Sequence, residues 1–227
     1  MKGPDAKMLR RAEAIVSAAP LVYYLLLLPE LPERVPTHFG PDGTADGFSG
    51  RFSAGSLAVC LIGYVGMLLG AGVSRFCSSL YDGETERNRD VGKRILTLNE
   101  AVLCLFFTIM ALYNVSLWRG GGDLDDGFLL KLGVAVFALV LMVTGNLLPK
   151  FEFSRNSGAR TKYSLSGEKA WSKTQRFAGR VLMLAGAALL VITLLPMVSA
   201  GAAVIAAVAA VVAACAAALG YRGGKAP

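Results

Sequence analysis

The length of its apolar runs constrains this chain more than any other feature. A helix needs about 20 consecutive apolar residues to cross the ~30 Å hydrocarbon core of a bilayer. Six blocks reach or approach that length: 12–28 ("AEAIVSAAPLVYYLLLL"), 53–76, 95–118, 128–148, 181–195 and 198–219, the last rich in alanine. The fifth is short, but an amphipathic stretch leads into it. Pro196 and the small-residue run at 199–201 separate blocks five and six into a tight hairpin rather than one long helix. In lipid every backbone polar group must be satisfied within the segment, and these blocks are too long for barrel strands. The expected fold is therefore all-α, an integral bundle of six transmembrane helices forming one membrane domain over residues 1–227. Composition agrees: 17% of the residues are charged, against about 25% in a soluble domain. No small-residue cleavage site follows "LLLLPELPERVP", so block one reads as a retained span rather than a signal peptide.

Basic residues set orientation, because cytoplasmic loops collect Lys and Arg. With the N-terminus inside, nineteen of the 23 basic residues fall on the cytoplasmic side. Only Arg34, Arg51, Arg119 and Lys131 fall outside, beside the acids Glu30, Glu33, Asp42, Asp46, Asp123, Asp125 and Asp126. This predicts both termini in the cytoplasm. It also accounts for the net charge of +7 without direct nucleic-acid binding: the excess sits in loops that touch anionic headgroups.

The four cysteines, Cys60, Cys77, Cys104 and Cys215, form no Cys-x-x-Cys pair and lie in no outer loop, so they read as small apolar packers. Asn99 and Glu100 open the third span, Asn114 lies near its outer end, and Asn146 lies at the inner end of the fourth. Ionisable groups in a span point to function, although Glu100 is close enough to the interface to be solvated or paired with Lys93 or Arg94. Gly63, Gly66, Gly70 and Gly72 in span two, and Gly186 in span five, suit close helix packing.

Two loops concentrate the remaining signal. The outer loop, 29–52, carries "LPERVPTHFGPDGTADGFSG", with the sole histidine, His38, and with Asp42 and Asp46 behind it. Three readings stand. His38, Asp42 and Asp46 could bind a divalent metal, or His38 could act as a base, in a membrane-embedded metal-dependent enzyme. His38 could meet an outside ligand. Or it could simply hold its own turns together, since "GPDG" and "ADG" are ordinary turn formers. The spacing matches no standard metal motif, no catalytic residue is assigned, and no cofactor is expected.

The basic inner loop, 149–180, starts where Pro149 ends span four. "RNSGART" reads as a turn with glycine at its centre. Ser166 is the expected N-cap of the next helix, with Glu168 in its first turn. Ala170, Trp171, Thr174, Phe177, Ala178 and Val181 share one helical face, and Lys169, Lys173, Arg176 and Arg180 lie on or beside the other. This predicts an interfacial amphipathic helix running into span five, with the tryptophan at headgroup level.

Both loops match a known pattern. "LPERVPTHFGPDGTADGFSGRF" between spans one and two, and "GNLLPK" followed by "GART", "SLS" and "WSKTQRFAG", have the order and spacing of the sporulation-delaying-protein immunity (SdpI-like) family of bacterial membrane proteins. The chain resembles that family across both stretches, the first in a domain of otherwise unknown function. It departs at Ser154, where the family often has Asn, and at Gln175, where it often has His.

The resemblance implies a multi-pass protein of the bacterial cytoplasmic membrane that protects against an extracellular peptide toxin and recruits a cytoplasmic repressor. On that expectation His38, Asp42 and Asp46 face the ligand outside. Arg160, Thr161, Trp171, Thr174 and Arg176 face lipid or the partner inside. The rival readings are the metal-dependent enzyme and a small-solute transporter using Asn99, Glu100, Asn114 and Asn146. The transporter needs a polar midplane path, for which these residues are few.

Overall fold

The computed structural model describes residues 6–39, 44–120 and 126–222. The chain is mostly helical. Its elements are α1 (Ala6–Ser17), α2 (Ala19–Leu27), β1 (Arg34–Phe39), β2 (Ala45–Gly50), α3 (Ala54–Cys60), α4 (Ile62–Ser78), α5 (Glu86–Gly120), α6 (Asp126–Leu147), α7 (Glu168–Leu194) and α8 (Ala200–Gly220). Among the described residues five stretches are long and apolar enough to cross a membrane: Lys7–Glu30, Glu86–Gly120, Gly127–Lys150, Glu168–Leu194 and Ala200–Gly220. A sixth candidate is the pair α3 and α4, bent by 56°. All six apolar blocks of the sequence thus fall on helices. The chain divides into two compact units, Met1–Gly72 with Glu100–Leu129, and Val73–Asn99 with Leu130–Pro227.

In the first unit, α1 and α2 divide at Ala18 because Pro20, fully buried, stands at the start of α2. Proline lacks the N–H that would continue the first helix. A single 3-10 turn at Leu28–Glu30 then ends the span. What the sequence suggested as a string of turns is a two-stranded antiparallel hairpin, β1 with β2, in which Arg34 pairs with Gly50 and His38 with Gly47. Its register shifts on both sides of His38.

The hairpin is seated on helices. Val35 is fully buried with Tyr24, Leu27, Leu31, Val59, Cys60, Val115 and Trp118. The Trp118 indole donates to the Pro36 carbonyl at 2.6 Å. The Tyr24 hydroxyl donates to the Arg51 carbonyl, and the Arg51 guanidinium donates to the Leu31 carbonyl at 2.7 Å. Ser53 then caps α3, accepting from the Ser56 N–H.

Three of the four glycines flagged in span two do pack closely. A Cβ on Gly63 would lie 2.8 Å from Thr108 Oγ1, one on Gly66 would strike the Phe107 ring, and one on Gly70 would lie 3.1 Å from Glu100 Cγ. Gly72 has nothing within 4 Å and needs no such explanation.

In the second unit, α6 ends at Leu147 and a 3-10 turn carries Pro149, as the proline required. Helices α6 and α7 cross backbone to backbone: a Cβ on Gly145 would lie 2.7 Å from the Gly179 carbonyl, and one on Gly179 would lie 2.6 Å from the Gly145 carbonyl. Further along, Gly186 meets the Ala138 carbonyl in the same way at 2.6 Å. Such approach leaves no room for a side chain and maximises van der Waals contact, which drives helix association in lipid. Ala203 and Ala207 of α8 complete a second cluster with Val134, Ala138 and Leu189. Ser199 caps α8, so the hairpin at Pro196 is also a helix start.

One local expectation about α7 is corrected. Its N-cap is Gly167, at a φ of 158°, rather than Ser166, whose hydroxyl turns back to the Tyr163 carbonyl. The amphipathic stretch runs into the fifth span as one continuous helix of 27 residues.

Candidate functional site

The inner loop between α6 and α7 is a folded structure. Its organising residue is Glu84, just before α5. One carboxylate oxygen accepts from Ser154 Oγ at 2.5 Å and from Ser157 Oγ at 2.9 Å. The other accepts from Asn88 Nδ2 at 3.0 Å. Burial works against the charged form of Glu84. The hydrogen bonds from Ser154, Asn88 and Ser157 outweigh it, and the carboxyl titrates below its ordinary range. Asn88, fully buried, also takes both backbone groups of Glu152: it accepts from the N–H at 2.8 Å and donates to the C=O at 3.3 Å. Thr85 caps α5 by accepting from the Asn88 N–H.

The other wall is α7. Gln175, with no exposed surface, holds Ala159 by two points: its Oε1 accepts from the N–H and its Nε2 donates to the C=O, each at 2.9 Å. The Trp171 indole donates to the Phe151 carbonyl at 3.1 Å. Gly158 threads between these two side chains at a φ of +82°, where a Cβ would lie 2.9 Å from both. Glycine is the residue that reaches this left-handed conformation without steric cost, so the glycine expected at the centre of "RNSGART" is required on two counts. Thr161 and Ser164 cap each other through side-chain to backbone bonds of 2.7 and 3.0 Å.

This places the inner site candidates in two groups. Trp171 and Thr174 are inside the fold, the tryptophan 2% exposed and packed within protein; Thr174 bonds the Ala170 carbonyl at 2.9 Å. Thr161 is half-buried in its cap. Arg160 and Arg176 are exposed, as are Arg155, Lys162, Lys169 and Lys173. The loop therefore presents cations on a scaffold whose own polar groups are satisfied internally. Ser154 and Gln175, the two departures from the family pattern, are both members of that scaffold.

On the hairpin, His38 Nδ1 lies 2.5 Å from Asp46 Oδ1, with the two side chains 74% and 51% exposed. Gly47 opposes His38 so closely that a Cβ there would lie 2.7 Å from the histidine Cβ. Asp42 lies outside the described residues. Among the described residues no group of three or more His, Cys, Asp or Glu is placed to hold a metal ion.

The intramembrane polar residues are not one cluster. Asn146 is exposed, and Asn114 bonds back to the Met110 carbonyl at 2.8 Å. Asn99 is half-buried, with its side-chain oxygen buried and without a hydrogen bond among the described residues. Glu100 is 2% exposed, 3.8 Å from the Arg10 guanidinium. Beside it stands a residue the sequence reading passed over: Glu13 on α1, 5% exposed. A carboxylate one residue inside the first apolar block was a visible signal.

Helices, apolar lengths and folded loops define a multi-pass membrane protein. The family described as the SdpI/YfhL protein family matches residues 150–222, and the domain of unknown function DUF1648 matches residues 15–63. The chain is an SdpI-like family protein. The first match covers the loop, α7 and α8; the second covers α2, the hairpin and α3. No curated protein and no solved structure matches the chain.

Proposed function

We propose that the protein is an immunity and signal-transduction protein of the SdpI type in the bacterial cytoplasmic membrane. The hairpin meets a secreted peptide toxin outside, and the basic loop recruits a regulator inside. The observation that carries this reading is the inner loop. Its polar groups are spent on holding its own shape through Glu84, Asn88 and Gln175, while Arg155, Arg160, Lys162 and Arg176 are left outward. A rigid cationic face suits an acidic protein surface or anionic headgroups. In this reading Arg160 and Arg176 make the contact, and Trp171, Thr174 and Thr161 hold them in place. His38 and Asp46, exposed on a hairpin that is fixed at its base, are the matching outer contact.

Toxin challenge of a deletion strain tests the proposal. Cells lacking the gene become sensitive, the intact gene restores resistance, and His38→Ala restores it poorly. Arg160→Glu with Arg176→Glu leaves resistance intact and abolishes recruitment of the regulator to membranes. A deletion strain as resistant as its parent refutes the immunity role.

A further inference from the structure

Helices α1, α4 and α5 of the first unit meet along a polar seam inside apolar segments. Glu13 and Ser17 stand one turn apart on α1, and Glu100, Cys104 and Thr108 stand one turn apart on α5, as the helical repeat requires. The α4 side of the seam is Gly63, Gly66 and Gly70, none of which brings a titratable or donor side chain. Ser17 Oγ and Cys104 Sγ are 3.2 Å apart, and Thr108 Oγ1 donates to the Cys104 carbonyl at 2.9 Å, so both hydroxyls are engaged.

Glu13 has no such partner. Both its carboxylate oxygens are buried, and neither has a hydrogen bond among the described residues. It lies six residues into the Lys7–Glu30 segment, about 9 Å along the helix. Glu100 stands one turn before Cys104 on α5, as Glu13 stands one turn before Ser17 on α1, and the Ser17–Cys104 contact brings the two helices together there. Arg10, on the same helix as Glu13, lies 3.8 Å from the Glu100 carboxylate, and the Cys104 thiol is another titratable group of the seam. A buried carboxylate without a donor is expensive to keep charged, and a second carboxylate at the same level of the neighbouring helix adds repulsion.

We propose that Glu13 and Glu100 form an intramembrane proton site, one proton held between the two carboxyl groups with Arg10 as the counter-charge. The chemistry favours a proton over a metal. Calcium takes six to eight oxygens and magnesium a full octahedron, whereas this seam offers two carboxyl groups and hydroxyls already committed elsewhere. The site is independent of the toxin and regulator reading: it stands on unit one alone and is tested without either partner.

Infrared spectroscopy of the full-length protein in lipid nanodiscs reads it directly. At neutral pH the wild type shows a protonated carboxylic acid band that shifts in D2O and disappears on raising the pH. Glu13→Gln or Glu100→Gln alone removes it, because one remaining carboxylate faces Arg10. The wild-type spectrum needs no variant to fold: absence of the band at neutral pH overturns the proposal. So does a band that survives both single substitutions, or one abolished by sodium or calcium at fixed pH.

Discussion

Gln175 offers the sharpest test of how the inner loop is held. Replacing it with alanine removes the two 2.9 Å bonds to Ala159 and leaves that residue's N–H and C=O facing an apolar gap beside Trp171. A buried polar group stripped of its partner costs about 1–3 kcal/mol. Ala159 is half-buried, so water reaches part of the gap and the lower end applies to each group. The expected loss is about 2–3 kcal/mol, which speeds local opening by roughly 30- to 150-fold. Gln175→His is the instructive intermediate. A neutral imidazole has one donor and one acceptor nitrogen pointing apart, so it reaches one of the two Ala159 groups and costs about half as much. The assay is amide hydrogen exchange in nanodiscs, read at residues 157–160, with limited proteolysis after Arg155 and Arg160 as a second readout. Exchange in Gln175→Ala that matches the wild type would refute the clamp. Faster exchange spread evenly over α7 and α8 would show a general loss of packing instead.

Glu84 carries a pH dependence. Its folded carboxyl titrates below its ordinary range, so the stability it lends is fully present above the unfolded value, about 4.3. It is lost as pH falls through the depressed folded value. Protease protection of the loop is expected to hold at pH 6 and to fail in that acidic window, with Glu84→Gln losing protection at neutral pH as well. The α6–α7 crossing predicts a contrast between glycines: Gly179→Leu, whose Cβ would lie 2.6 Å from the Gly145 carbonyl, abolishes the folded protein in detergent, while Gly72→Leu, with nothing within 4 Å, does not. Trp118→Phe loses the bond to the Pro36 carbonyl and destabilises the hairpin by about 1–3 kcal/mol, measured as faster exchange of β1 and β2 with the helices unchanged.

What the sequence made legible and what it hid divide along physical lines. A span announces itself, because 20 apolar residues have few other uses, and the breaks at Pro149 and Pro196 follow from a missing N–H. The hairpin did not announce itself. "ADGFSG" has two glycines in six residues and little intrinsic strand preference, so β2 exists because Trp118, Tyr24 and Arg51 bind the loop at its base. Trp171 misled for a related reason. On its own helix it looks like an interfacial anchor, and only residues 151–159, folding over it under the hold of Glu84 and Asn88, make it a core residue. Those partners lie 64 to 73 positions earlier in the chain, beyond any local pattern. The charged site was readable in principle, since Glu13 interrupts an apolar block as plainly as Glu100 does. What the sequence could not supply is that α1 meets α5 at Ser17 and Cys104, one turn from each carboxylate, and that the glycines of α4 leave room there for Ser17, Thr108 and Glu100.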